Sequence, residues 1–102
     1  MDSPEFRRTV SRTLEVLARV PITVEQLGFQ VGALEELGTA LEATGETWRN
    51  RFHEQWSALE EVYAVSLALC EIEVTGDRAT LVASAVSKLQ ALVGELEAAE
   101  LR

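Results

Sequence analysis

Gly38-Thr39-Ala40-Leu41-Glu42-Ala43-Thr44-Gly45-Glu46-Thr47-Trp48 is the stretch on which the fold turns. The apolar three- and four-residue steps that precede it continue in register through Gly45 to Trp48. The chain therefore either runs as one rod or breaks near Gly45. A rod of about 50 residues would be about 75 Å long. A globule of this length has a radius of gyration near 13 Å, so a rod would need a partner chain to cover it. We take the break, which gives four antiparallel helices.

Upstream, the start of the second helix is the clearest signal in the chain. Thr23 and Gln26 have capping-box spacing, and Ile22 is placed to staple onto Leu27. Val24, Leu27, Val31, Leu34 and Leu41 follow as one stripe that includes Gly38. Before it, Ser3 as cap and Pro4 as first residue open a helix expected to reach Arg19, with Phe6, Val10, Leu14 and Leu17 on its apolar face. Asp2 to Phe6 also fits a vector-encoded leader. Pro21 closes this helix.

Downstream, a third helix is expected from Glu46 to Glu73, capped by Thr44 or Thr47. Trp48, Phe52, Trp56, Leu59, Tyr63 and Cys70 share one face of it. Thr75-Gly76-Asp77 reads as a C-cap glycine followed by a new N-cap. The fourth helix then spans Arg78 to Leu101, with Val82, Ala85, Leu89, Leu92 and Leu96 in heptad register. The alternation in Glu71-Ile72-Glu73-Val74 leaves a short strand as an alternative there.

The whole chain, residues 1–102, is expected to be a single domain, since that length supports one core. Two prolines and six glycines leave room for long unbroken elements, and 47% hydrophobic residues argue against disorder. The fold class is all-α: an antiparallel four-helix bundle or a set of long helical hairpins, expected to dimerise. Seventeen acidic residues against nine basic ones give a net charge of −8. That field repels phosphate backbones and anionic lipid, so neither nucleic acid nor membrane is an expected partner. Cys70 is the only cysteine, which excludes an internal disulfide and fits a reducing, cytoplasmic setting. No apolar run is long enough to span a bilayer, and charged residues stand where a signal peptide would be apolar.

The inventory for chemistry is thin. His53 is the only histidine and is expected at the edge of the core. The resemblance to histidine phosphotransfer domains stops at size and charge, because Glu54-Gln55-Trp56-Ser57 follows in place of that family's lysine and small glycine turn. Resemblance to small secreted helical hairpins with a Trp-x-Gly turn likewise fails, since Arg49-Asn50 follows Trp48. Di-iron bundles use Glu-x-x-His, and Asn50 stands three residues before His53. A single histidine and a single cysteine cannot make a structural zinc site. Glu35-Glu36 and Glu60-Glu61 point about 100° apart on a helix and do not converge on one atom. No catalytic residue, metal ligand or cofactor is expected. No serine is seen poised beside His53, and no phosphate loop is present.

Two surfaces are left over. On the second helix, Gly28, Phe29 and Gly32 lie off the core stripe, and mid-helix glycine costs about 1 kcal/mol against alanine. On the fourth, Lys88 is the sole charge between Ala79 and Gly94, and Ala83, Ser87, Ala91, Gly94 and Ala98 form a seam of small residues. Four arginines of the first helix, Arg7, Arg8, Arg12 and Arg19, could meet an anionic partner or the acidic side of the second helix. The reading is a non-enzymatic protein–protein interaction module of the chaperone, adaptor or immunity kind: a homodimer with a protein partner. The alternative is an enzyme or small-molecule binder with a pocket among Trp48, Phe52, His53, Trp56 and Tyr63.

Overall fold

Thr23 opens its helix as its spacing to Gln26 predicts. The Gln26 N–H donates to Thr23 Oγ1 at 3.1 Å, and Gln26 Oε1 accepts from the N–H groups of Thr23 and Ile22. Reciprocal capping of this kind satisfies donors that a helix start leaves unpaired. The computed structural model describes residues 4–41 and 45–100, and four helices account for most of them. They are α1 (Pro4–Val16), α2 (Val24–Ala40), α3 (Glu46–Ala68) and α4 (Gly76–Glu100). Among the described residues there is no strand. Ser3, Thr44 and Leu101, named above at helix ends, lie outside those residues.

The break at Gly45 is present. Its φ of 121° is a backbone conformation that L side chains rarely adopt, and α3 starts at the next residue. The radius of gyration of 13.8 Å and longest dimension of 44 Å belong to a folded bundle, not a rod. Each helix packs on its neighbour in sequence, and α4 closes onto α1. Among the described residues, α1 and α3 do not pack together, nor do α2 and α4, which makes these the diagonal pairs.

The expected stripes supply the core. Val10, Leu17, Val24, Leu27, Val31, Leu34, Leu41, Trp48, Phe52, Leu59, Val82, Ala85, Leu89 and Leu92 are all buried. Val86 and Val93 join them, so α4 buries a wider face than its heptad seam. Both tryptophans are tied across helices. Trp48 Nε1 donates to Leu92 O and Trp56 Nε1 to Val31 O, each at 2.9 Å. A buried indole needs such an acceptor, and the main chain of the next helix provides it.

Three helix ends differ from the sequence reading. α1 stops at Val16 rather than Arg19, because two glutamines from other helices take the carbonyls there. Gln30 Nε2 donates to Val16 O and Arg19 O, and Gln90 Nε2 donates to Leu17 O. α3 stops at Ala68, short of Glu73, in a Schellman turn: Cys70 N–H donates to Leu67 O and Glu71 N–H to Ser66 O. Cys70 holds the left-handed position of that turn, with φ 55°, where glycine is the usual residue. It is therefore exposed instead of lying on the aromatic stripe. Gly76 has a positive φ as expected, but at the entry to α4 rather than at the exit from α3.

Candidate functional site

The connections at 17–23 and 69–75 meet at one end of the bundle. Val24 N–H donates to Ile72 O and Val74 N–H to Ile22 O, both at 2.9 Å, around an isolated bridge between Thr23 and Glu73. The alternation read at Glu71 to Val74 thus marks extended backbone that pairs once and goes no further. Glu71 and Arg78 form an ion pair beside it.

That end is unusually apolar on its outside. Ile22 is 67% exposed, Phe29 77% and Ile72 79%, with Val20 and Leu67 also exposed. Ile22 was expected over Leu27 as a staple, yet it faces outward. A large apolar side chain left in water forgoes about 1.5–3 kcal/mol of burial, so several together are the mark of an interaction surface. They line two hollows flanking the first turns of α2. One is walled by Val16, Val20, Pro21, Ile22 and Phe29, with Glu15 and Glu25 among its charged residues. The other includes Tyr63, Leu67, Glu71 and Ile72, and Glu25 borders both.

The residues singled out from sequence fall on two separate surfaces. Phe29 belongs to the apolar end. Gly32 is exposed, and nothing lies within 4 Å of a Cβ built there. Gly28 has a role inside the chain instead: a Cβ would come within 2.5 Å of the Tyr63 ring. On α4, diagonal to α2, Ala83, Ser87, Ala91 and Ala98 are exposed and Gly94 is half-buried. The arginines Arg8, Arg12 and Arg19 are exposed and make no ion pair with α2 among the described residues.

The five residues of the alternative pocket are not gathered around one cavity. Trp48 is stacked on Phe52 at 5.2 Å and anchored on α4. Tyr63 fills the space over Gly28. Of the five, Phe52, His53 and Trp56 share a hollow with Leu34, Gly38 and Arg49. His53 is exposed beside Trp56, with ring centroids 5.7 Å apart. One pair was missed: Ser57 Oγ lies 3.3 Å from His53 Nε2. Their four-residue spacing on a helix was the available signal. Among the described residues no carboxylate orients the other ring nitrogen, the third part a hydroxyl nucleophile requires. No three His, Cys, Asp or Glu side chains among the described residues are placed to hold a metal ion. No described helix is long and apolar enough to cross a membrane.

No protein-family model matches this chain, and no curated protein or solved structure matches it.

Proposed function

We propose that the chain is a non-enzymatic protein–protein interaction module, an antiparallel four-helix bundle working in the cytoplasm as an adaptor, chaperone or immunity-type binder. The observation that carries this is the exposure of Ile22, Phe29 and Ile72 together at the end where the 17–23 and 69–75 connections meet. Side chains of this size and exposure on one end of a small acidic protein suit a partner with an apolar face. The seam of Ala83, Ser87, Ala91 and Gly94 on α4 is the second surface, and we assign it to pairing with another copy of the chain. A two-fold interface uses one patch twice, and small side chains let two helices approach closely.

The test is affinity capture from the source cells with the wild type and with Phe29→Asp and Ile72→Asp variants. A stoichiometric protein held by the wild type and lost by both variants supports the reading. A co-purifying small molecule retained by both variants would replace it with the ligand-binding alternative.

A further inference from the structure

We infer that α1 is a gate on the hollow beside Ile22 and Phe29. It lifts as one unit about Ala18, Arg19 and Val20 while α2, α3 and α4 stay folded, and its return rebuilds one side of that hollow. The opening stands on the packing of α1 alone, whereas its regulatory meaning rests on the interaction reading above.

Three features point to this. The first is how little apolar surface seats the helix. Of the described residues of α1 only Val10 and Thr13 are buried, with Leu17 just past its end. α2 buries Val24, Leu27, Val31 and Leu34, and α3 buries Trp48, Phe52, Leu59 and Val62. Thr13, at the centre of the buried face, turns its hydroxyl back to Thr9 O at 2.7 Å. Arg8, Arg12 and Arg19 add no ion pair to α2 among the described residues. Packing of an apolar face is what holds a helix in a protein, and 13 residues are too few to keep α1 helical once it lifts. The second feature is the clasp at its end. Gln30 of α2 holds the carbonyls of Val16 and Arg19, and Gln90 of α4 holds that of Leu17. These bonds set the Gln30 amide against the end of α1, where it is 4% exposed and its Oε1 has no hydrogen-bond donor. Closure leaves that acceptor unpaired, and water reaches it when α1 lifts.

The third feature is that the other three helices are tied together without α1. Trp48 Nε1 joins α3 to α4 through Leu92 O, and Trp56 Nε1 joins α3 to α2 through Val31 O. The Val24 and Val74 amides join the start of α2 to the 69–75 connection, and the capping box at Thr23 is complete within α2. None of these bonds involves a residue before Ile22. Val16 and Arg19 line the hollow together with Val20, Ile22, Phe29 and Gln30, so lifting α1 takes away one of its sides. A partner seated in the hollow therefore holds the gate shut, and an open gate offers that partner an incomplete site, the same coupling seen from either end.

Native-state hydrogen exchange of the ¹⁵N-labelled full chain, read residue by residue and corrected for intrinsic rates, tests the gate. The amides of Val10 and Leu14 should share one rate, at least about tenfold faster than those of Val31, Leu59 and Leu89. Val24 and Val74 should stay with the slow group, whereas the side-chain amide of Gln30 should exchange at the α1 rate. Trp56→Phe loosens the α2–α3 tie and should speed the slow group about fivefold, the worth of one net hydrogen bond, with α1 unchanged. Trp48→Phe, on the α3–α4 tie, should do the same. Gln90→Ala should speed α1, and every wider opening with it, by about the same factor. One rate for all four helices, α1 amides that follow Trp56→Phe, or rates that climb turn by turn towards Pro4 as in fraying would each overturn the inference. A Gln30 side chain that exchanges with the slow group would overturn the gate on the hollow. If α1 opens as expected while capture finds no protein partner, the opening stands and its regulatory meaning falls with the interaction reading.

Discussion

Replacing Gly38 by alanine should weaken the protein, although the same substitution at Gly32 in the same helix should strengthen it. Alanine is favoured over glycine inside a helix by about 1 kcal/mol, a gain that both sites offer in principle. At Gly32 nothing lies within 4 Å of the new Cβ, so the gain should appear in full. For a domain of this size that raises the melting temperature by about 4–8 °C. At Gly38 the Cβ would lie 2.6 Å from Phe52 Cε1 and 3.3 Å from Cδ1 and Cζ. Phe52 is buried and stacked on Trp48, whose indole N–H is held by Leu92 O, so moving the ring away from the new Cβ disturbs that stack. Overpacking of a core costs about 1–3 kcal/mol, and subtracting the helix gain leaves a net loss of up to about 2 kcal/mol. Gly28 falls between, because the clash there is with the outer end of a half-buried tyrosine that can tilt outward. Thermal unfolding followed by far-UV circular dichroism measures all three. A Gly38→Ala variant as stable as Gly32→Ala would refute the reasoning. Trimming Phe52 to leucine in the Gly38→Ala background should relieve part of the strain, the non-additivity expected of residues in contact.

Cys70→Gly should stabilise the chain by about 1 kcal/mol, since φ 55° suits glycine and burdens any other residue; an unchanged urea midpoint would count against this. Trp48→Ala should cost about 3–5 kcal/mol, and Trp56→Ala less because that ring is only half-buried; a Trp48→Ala variant that melts like the wild type would sink the structural assignment. Light scattering at micromolar concentration should give a dimer mass that Ala91→Arg reduces to a monomer without unfolding, and a monomeric wild type would remove the α4 pairing from the proposal.

The parts of the fold that were legible are those fixed by local chemistry. The capping box at Thr23 and Gln26 and the apolar stripes depend on residues within a turn or two of one another. The end of α3 was not legible, because a Schellman turn is ordinarily announced by glycine and here Cys70 holds the place. Gln30 and Gln90 look like ordinary surface residues in one dimension, yet each donates to a carbonyl at the end of α1 that only the folded chain brings near. Gly28 was placed on a leftover surface of the second helix, whereas in the folded chain Tyr63 fills the space over it. The apolar end was half legible: Phe29 stood out, whereas Ile22 and Ile72 had plausible assignments as a staple and a strand residue.

The bridge between the 17–23 and 69–75 connections gives this molecule a built-in reporter of how its halves come apart. The amides of Val24 and Val74 bond across from the α1–α2 half to the α3–α4 half, so neither is protected by its own helix. Fraying of a single helix end leaves both bonds in place. Their hydrogens exchange with deuterium only when the α1–α2 half lifts off the α3–α4 half or when their connections part. If the bundle opens as one unit, these two amides should exchange as slowly as those at the centre of α2 and α3. If it opens as two hinged halves, they should exchange together and ahead of that core, with the helices on either side still intact.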